Sequence, residues 1–331
     1  MDSNRTLAIR IALPLLLLGS LFFCLATGSV SLGAKDIASC LVLQCPDSLT
    51  ETILWDIRLP RVLMAVLVGA GLALSGAMLQ TCTRNPLADP YLFGIVSGAG
   101  LGATIVTTVL PADWQPLLPL FAFMGAMIAV VIVIALSQYL QRFEMILLCG
   151  VAIGFMFSAI TQFLLYLGEP FAANRIIFWL MGSLANVAMS NVFWLAGALL
   201  ITCIVSLRFA RHLDALMLDD DSAEALGVDT KKLRLMLLLL CALLTSVIVA
   251  WCGGIGFVGL MIPHIVRAIW GSSGIKLVVG SMLVGGVFLL WVDFIARQAL
   301  PNQEIPLGVI TAALGSVFFV GIMIQRQIKS S

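Results

Sequence analysis

The sequence is short of charge, with Asp, Glu, Lys and Arg together making up 11% of its 331 residues. Soluble globular domains carry about 25% charged residues, so this chain lacks the polar residues that a water-facing surface needs. Its formal net charge of +1 also lacks the basic excess with which proteins neutralise nucleic-acid phosphates. We therefore expect no nucleic-acid partner.

The residue clusters that catalytic and metal sites require are also missing. The chain has only two histidines, His212 and His264, and its eight cysteines show no C-x-x-C pair and no zinc-type spacing. No G-x-x-x-x-G-K-[ST] sequence is present to hold ATP phosphates, and no cluster of carboxylates in an apolar stretch points to proton or sodium coupling. The sequence predicts no metal site, no resident cofactor and no enzymatic activity of the chain itself.

Apolar stretches dominate instead, because 61% of the residues are hydrophobic and the mean hydropathy is +1.11. A membrane-spanning helix needs about twenty apolar residues. With that length the sequence predicts an all-α bundle of ten transmembrane helices in one domain over 1–331. The predicted spans are 7–27, 62–81, 92–110, 116–137, 145–167, 192–209, 232–251, 254–270, 276–297 and 306–325. A nine-span alternative stays open, because only Gly253-Gly254 separates the seventh span from the eighth.

The distribution of basic residues predicts the orientation of the spans. With the N-terminus inside, thirteen of the 18 Lys and Arg residues fall on the cytoplasmic side. Nine spans would place Arg326 and Lys329 outside, so the bias favours ten spans with both termini cytoplasmic. The first apolar run is longer than a signal-peptide core of about 7–15 residues, so we expect a spanning helix there.

Two connecting segments carry patterns of their own. The residue pattern of the inner segment 210–231 indicates two short helices. Asp221 or Ser222 is expected to cap the second helix, and Gly227 is expected to end it. An amphipathic helix on the inner side has the shape that fits a groove on a soluble partner, although an ordinary solvated loop explains the charges equally well. The outer segment 168–191 predicts a helix lying along the membrane surface.

One pair of opposite charges falls within an apolar span. Asp293 and Arg297 are four residues apart, share a helix face and are expected to pair. The pair either orients the arginine at the outer surface or neutralises a helix end. The group Pro263, His264 and Arg267 is expected to brace a helix end rather than bind a metal.

Several separated motifs resemble one known family. They are Arg58-Leu-Pro-Arg61; Ser75–Gln80 with Arg84–Pro90; Gly94 with Gly98-Ala-Gly100; Trp179–Leu184; Leu226-Gly-Val228; Gly256–Leu260 with Pro263, His264 and Arg267; Asp293 with Ala296-Arg297; and Glu304–Gly308. Over essentially its whole length the chain is similar to the permeases of ABC importers for iron siderophores, haem and vitamin B12, which have the type II importer fold.

The resemblance implies a bacterial inner-membrane permease that works with a second permease, two cytoplasmic ATPase subunits and a periplasmic substrate-binding protein. ATP and Mg would be held by the ATPase subunits, and the chain's own surroundings would be lipid. Arg58, Arg61 and Arg297 match the positions that grip acidic residues of the binding protein, with interfacial anchoring as the alternative. The inner segment would be the coupling element that sits in an ATPase cleft. Its matching residues are Leu213, Leu216, Leu218, Asp219, Ala223, Leu226, Gly227 and Val228.

The resemblance also implies that the fifth and tenth spans line the translocation path. The expected cargo is a ferric siderophore, with haem or cobalamin as the alternatives, and an ATP-independent secondary transporter is the competing class. Whether the two permeases are identical or merely related stays open. In the first outer loop, Cys40 and Cys45 are a candidate disulfide if the compartment is oxidising.

Overall fold

The computed structural model describes residues 3–28, 32–42, 44–140, 145–301 and 303–330, with the side chains of 3–10, Leu41 and 325–330 outside the description. Within these ranges the chain is helical, and the only bridge is an isolated one between Leu300 and Gln303. The helices are α1 Ser3–Ala26, α2 Ala34–Leu41, α3 Ser48–Thr52, α4 Leu59–Thr83, α5 Ile95–Thr104, α6 Leu118–Tyr139, α7 Ile146–Leu167, α8 Pro170–Leu180, α9 Met189–Arg208, α10 Ala210–Leu216, α11 Asp220–Ala225, α12 Thr230–Cys252, α13 Val258–Trp270, α14 Gly274–Gln298 and α15 Leu307–Ser330.

The helices agree with the ten predicted spans. In the described part of the chain, seven helices are long and apolar enough to cross a membrane, and three shorter apolar helices accompany them. The shorter ones are Ile11–Ala26, Ile95–Val109 and Val258–Trp270. Gly253 adopts a φ of 69°, ends α12 and separates it from α13, so the apolar stretch that left the count open is two helices.

The predicted start of the second span was too late. A turn of π-helix, Ile53–Arg58, joins α3 to α4, so the helix is continuous from Ser48 to Thr83. Pro60 is the second residue of α4 and directly follows this π-helical turn, where the change of hydrogen-bond register accommodates its missing N–H. Arg58 and Arg61 therefore lie on a helix rather than in a loop, and their three-residue spacing places them on one face.

The centre of the bundle is α4, which packs against α9, α12, α13 and α14. A Cβ at Gly69 or Gly285 would collide with the other helix, because each glycine lies against the backbone carbonyl of its partner. Gly76 is held equally close to Gly259 of α13. Such contacts let helix backbones approach closely in lipid, where no hydrophobic effect brings helices together.

Pro263 lies inside α13 and not at its end, so the predicted helix-end role of Pro263 and His264 is wrong. Proline lacks an N–H and so leaves the carbonyl four residues earlier, that of Gly259, without its helical donor. Gln80 of α4 replaces that donor, with its Nε2 3.0 Å from the Gly259 carbonyl oxygen. Arg267, in the last turn of α13, donates to Oε1 of the same glutamine. The proline is therefore tolerated because a neighbouring helix completes the hydrogen bonding.

Three helix ends, those of α8, α12 and the start of α15, meet within the bundle at what we call the central junction, formed by residues 180–183, 252–255 and 307–308. Ser183 N donates to the Cys252 carbonyl at 2.9 Å, and Leu307 N donates to the Gly182 carbonyl at 3.0 Å. Gly308 N donates to the Met181 carbonyl at 2.9 Å. An unpaired backbone group in lipid costs several kcal/mol, and here the three ends pair with one another.

The junction also shows where α8 leads. This helix forms within the outer segment predicted to contain one, and Ile176 on its buried face is fully enclosed. Residues directly after α8 enter the central junction, so the chain turns into the bundle there. That α8 lies along a membrane surface stays a prediction.

Candidate functional site

On the predicted outer face, Arg61 is held by two acids from distant parts of the chain. Its Nε donates to Asp293 Oδ1 at 2.9 Å, while Nη1 and Nη2 donate to the two carboxylate oxygens of Glu304 at 2.7 and 2.9 Å. The fork geometry of a guanidinium matches a carboxylate in this way. Hydrogen bonds from Arg61 lower the pKa of Glu304 below its ordinary value. Arg61 is thus a braced side chain with only 11% of its surface exposed.

Asp293 is fully buried in α14 between two arginines. Arg61 approaches one carboxylate oxygen at 2.9 Å, and Arg297 Nε lies 3.0 Å from the other. The second contact is an ion pair that is out of line for a hydrogen bond. The predicted pairing of Asp293 with Arg297 is therefore present, and Arg61 is a further partner that the local spacing did not indicate. A buried carboxylate is tolerated here because two positive charges flank it.

Arg58 closes the end of the first span. Its Nη1 donates to the Leu25 and Ala26 carbonyls at 2.7 and 3.3 Å, which are among the last carbonyls of α1. These groups have no donor within the helix, and a cation there also suits the helix dipole. Arg58 is only 6% exposed, so it does not project from the protein as a fully solvated side chain would.

The three arginines nevertheless reach one opening. A cavity of about 380 Å³ on this face is lined by Arg58, Arg61 and Arg297, together with Glu304. The structure thus brings together all three residues that the sequence predicted for docking. It adds Glu304, whose place in the motif Glu304–Gly308 was the available signal.

At the opposite end, α10 and α11 form the two predicted short helices. Asp219, and not Asp221 or Ser222, caps α11, because its Oδ2 accepts a hydrogen bond from Ser222 N at 3.0 Å. The backbone of Asp219 is extended, as an N-cap requires, whereas Asp220 is already helical. Hydrogen bonds from Ser222 lower the pKa of Asp219. Gly227 has a φ of 81° and follows the end of the helix, as predicted.

The predicted coupling residues divide into two groups. Leu213, Leu216, Ala223 and Val228 are buried against the chain's own bundle, so they lie behind the surface that a partner could touch. Their apolar side chains instead fix the short helices to the spans. The apolar surface that α10, α11 and their connections expose is narrower than the predicted set of coupling residues. It consists of Met217, Leu218 and Leu226, of which Leu226 is 67% exposed.

An ionic cluster, which we call the inner clasp, joins these helices to two spans. Asp220 of α11 accepts hydrogen bonds from Arg234 of α12 at 2.8 and 3.0 Å, and from Arg84 at the end of α4. Arg84 also donates through Nε to the Leu216 carbonyl at 2.8 Å. Burial alone would raise the pKa of Asp220, but hydrogen bonds from Arg234 and Arg84 lower it. Asp220 was not among the residues predicted from the sequence.

A third span is tied to the same region. Asp214 of α10 accepts a hydrogen bond from the backbone N of Gly274, the first residue of α14, at 2.6 Å. The short helices are therefore connected by polar contacts to α4, α12 and α14. Movement of one part of this assembly has a direct mechanical route to the others.

The helices predicted to line the path have unpartnered apolar faces in this single chain. On α7, Phe155 and Phe163 are exposed, and on α15, Val317 and Val320 are exposed. In α15, only 17% of the residues from Leu307 to Ile324 are buried within this chain. Exposed apolar faces of this size in a spanning helix contact either lipid or another subunit.

Two further predictions concern a disulfide and metal binding. The structure joins Cys40 and Cys45 in a disulfide at the end of α2. Among the described residues, no group of His, Cys, Asp and Glu is arranged to hold a metal ion.

Comparison with known proteins gives consistent results. The FecCD transport family matches residues 15–325. The chain is 36% identical to the hemin transport system permease protein HmuU of Yersinia pestis, over 96% of this chain and 98% of that protein. It is also 36% identical to the Fe(3+) dicitrate permease protein FecD of Escherichia coli, over 83% and 86%, and 37% identical to the vitamin B12 permease protein BtuC of Salmonella typhi, over 83% and 84%.

Solved structures share the architecture. An inward-facing metal-chelate type ABC transporter aligns with a TM-score of 0.86 and 33% identity, covering 96% of this chain and 99% of that one. The PsaBC structure from Streptococcus pneumoniae aligns with a TM-score of 0.58 and 18% identity, a likeness of fold alone.

Proposed function

This chain belongs to the FecCD transport family of multi-pass membrane permeases, and on that premise we propose that it carries a ferric siderophore inward across the bacterial inner membrane. The permeases of this family serve ABC importers, in which separate ATPase subunits hydrolyse ATP. The whole chain would form one permease domain with both termini cytoplasmic. ATP and Mg would bind the partner subunits and not this chain.

The observation that carries the proposal is the convergence of Arg58, Arg61 and Arg297 on one outer cavity. A periplasmic binding protein that presents acidic residues would be steered to this face and set in register by guanidinium–carboxylate pairs. Because Glu304 already holds Arg61, an incoming carboxylate would share or replace that internal partner. The long-range attraction should weaken with salt, since charges that approach one another through solvent are screened beyond about 10 Å at 0.1 M ionic strength.

On the inner side, we assign the ATPase contact to the exposed edge formed by Met217, Leu218 and Leu226. A small apolar patch carried by short helices suits a cleft on a soluble subunit. The inner clasp and the buried leucines behind the patch would pass movement of the ATPase subunits to the spans. This arrangement supports an ATP-driven importer over an ATP-independent carrier.

A second permease would cover the exposed faces of α7 and α15, and the path would run between the two chains. The walls contributed by this chain are mostly apolar, which suits a bulky cargo that is held briefly and released. An iron chelate is favoured because two of the named relatives are hemin and Fe(3+) dicitrate permeases. Haem or cobalamin is the second candidate.

Uptake by the assembled transporter tests the outer assignment. The permease, its ATPase subunits and its binding protein are reconstituted, and the triple variant Arg58→Glu, Arg61→Glu, Arg297→Glu is compared with Arg175→Glu. Arg175 is an exposed arginine in α8, on the same predicted side, and its side chain donates a hydrogen bond to Gln115 and forms no ion pair among the described residues. We expect the triple variant to lose binding-protein-stimulated ATP hydrolysis and the control to keep it.

Basal ATP hydrolysis of the triple variant shows whether its bundle still assembles. Stimulation equal to that of the control would refute docking through the arginines. If no ATPase subunit co-purifies and uptake follows an ion gradient alone, the chain is a secondary transporter. The chelate that co-purifies with the binding protein identifies the cargo.

A further inference from the structure

A second cavity opens at the inner end of the bundle between α4 and α13. Its volume is about 530 Å³, and its lining includes three basic side chains, those of Arg84, His264 and Arg267. Gln80 and Met217 complete much of the rest of the wall, and no acidic residue lines the cavity within the described ranges. The cavity is therefore lined by basic and not by acidic side chains, on the side where a cargo would leave.

The charge of Arg267 is not offset by a carboxylate. Among the described residues its hydrogen bond is to the neutral amide of Gln80, and it takes part in none of the ion pairs. A guanidinium has five N–H donors, so one contact leaves several for a ligand. A cation in a largely apolar recess attracts an anion more strongly than the same cation in water does.

The other two basic residues connect the cavity to the proposed machinery. His264 packs edge-on against Phe318 of α15, with ring centroids 6.0 Å apart, and α15 is a proposed wall of the path. Arg84 faces the cavity but gives its charge to Asp220 in the inner clasp. The recess thus lies between the path and the helices that would contact the ATPase.

We propose that this cavity binds an anionic oxygen group of the cargo, a carboxylate or a chemically similar phosphate, on the inner side of the path. Arg267 supplies the charge and a planar pair of donors, which match such a group. His264 lines the cavity on the side nearest α15. The proposal rests on the proposed function and narrows it, because it selects a cargo that bears negative charge.

The first test measures anion binding without transport. The purified permease–ATPase complex is titrated with citrate at constant ionic strength, and binding is followed by the rise in its melting temperature. We expect Arg267→Gln to weaken citrate binding by about tenfold or more, because a charge-assisted contact is lost. Arg211→Gln, an exposed arginine on the same predicted side, should bind citrate as the wild type does.

A second variant covers the case in which Arg267→Gln fails to fold, since Arg267 also contacts Gln80. His264→Gln keeps that contact intact and should also weaken citrate binding. Citrate binding that is unchanged in either folded variant would overturn the proposal. Assembly with the ATPase subunits reports on the proposed function separately, so the two failures can be told apart.

Two further arms identify the source of the anionic group. In nanodiscs, phosphatidylglycerol is compared with phosphatidylcholine: if phosphatidylglycerol abolishes the citrate effect in the wild type, the cavity holds a lipid headgroup and the cargo assignment is overturned. In proteoliposomes, uptake of a carboxylate-bearing ferric chelate is compared with uptake of a neutral one. We expect Arg267→Gln to slow only the anionic chelate, and equal slowing of both would overturn the proposal.

Discussion

Replacing Asp220 by Asn should detach the coupling helices from the spans. Asp220 accepts three hydrogen bonds from two arginines, and Arg234 is only 10% exposed on its side chain. The contact with Arg84 is half in solvent and contributes about 0–1 kcal/mol. Leaving the largely buried Arg234 without its carboxylate costs about 1.5–3 kcal/mol. Together these give about 1.5–4 kcal/mol, and about 2 kcal/mol, in the lower part of that range, corresponds to about a 30-fold shift toward the detached state of α11.

Hydrogen exchange of residues 210–231 measures this shift directly. In Asp220→Asn the amides of α10 and α11 should exchange about 30-fold faster, while those of α9 and α13 keep their wild-type rates. In the reconstituted transporter, the amount of cargo moved per ATP hydrolysed should fall. Asp221→Asn is the matched control, because Asp221 lies beside Asp220 and forms no ion pair among the described residues.

Equal exchange rates in the two variants would refute the reasoning that the inner clasp holds α11. Faster exchange with unchanged coupling would refute the inference that the clasp transmits movement. The contribution of Asp220 should also be insensitive to pH near neutrality. Its folded pKa is lowered from the ordinary 3.8, so the stabilisation is complete above that value and is lost only as the pH falls below it.

Three other perturbations follow from the packing. Gly285→Ala should cost about 1–3 kcal/mol of unfolding free energy in mixed micelles, because its Cβ meets the backbone of α4, whereas Gly197→Ala has open space and should be neutral; equal stabilities would contradict the packing argument. Gln80→Met should cost about 1–3 kcal/mol by leaving the carbonyl in α13 unpaired, and an unchanged melting temperature would contradict it. Glu304→Gln should lower stability by about 1 kcal/mol by weakening the fork on Arg61, with the loss shrinking as the pH falls from 4.5 through the lowered pKa of Glu304, and a loss that does not depend on pH would contradict the ion-pair account.

The spans were predictable because the thickness of a bilayer fixes the length of an apolar run. The ten-helix bundle could therefore be expected before any coordinates, whereas the grouping of the three arginines was implied by the resemblance to the permease family. The pairing of Arg61 with Glu304 could not be predicted, since Glu304 lies 243 residues away and no local spacing connects the two residues. Only folding of α4 against the segment before α15 brings the two side chains together.

Predictions of helix ends from local sequence were wrong at two places where a side chain of another helix makes a hydrogen bond that the local sequence does not reveal. Proline is expected at helix ends, but Pro263 is accommodated inside α13 because Gln80 of another helix bonds to the freed carbonyl. The run Asp219-Asp220-Asp221-Ser222 offers four candidate caps. The choice of Asp219 depends on Asp220 being turned toward Arg234, which is a tertiary contact.

The central junction has a consequence for how such a protein can diversify. Residues 180–183, 252–255 and 307–308 are joined there by main-chain hydrogen bonds, and every residue type except proline carries both a donor and an acceptor on its backbone. Changes of the other side chains at these positions leave the bonds in place, provided that the glycines are kept. Gly182 and Gly253 have positive φ, and a Cβ at Gly254 or Gly308 would collide with a backbone carbonyl of the junction. We therefore expect the chemistry of the passage to vary among relatives without loosening the frame that holds its helices together.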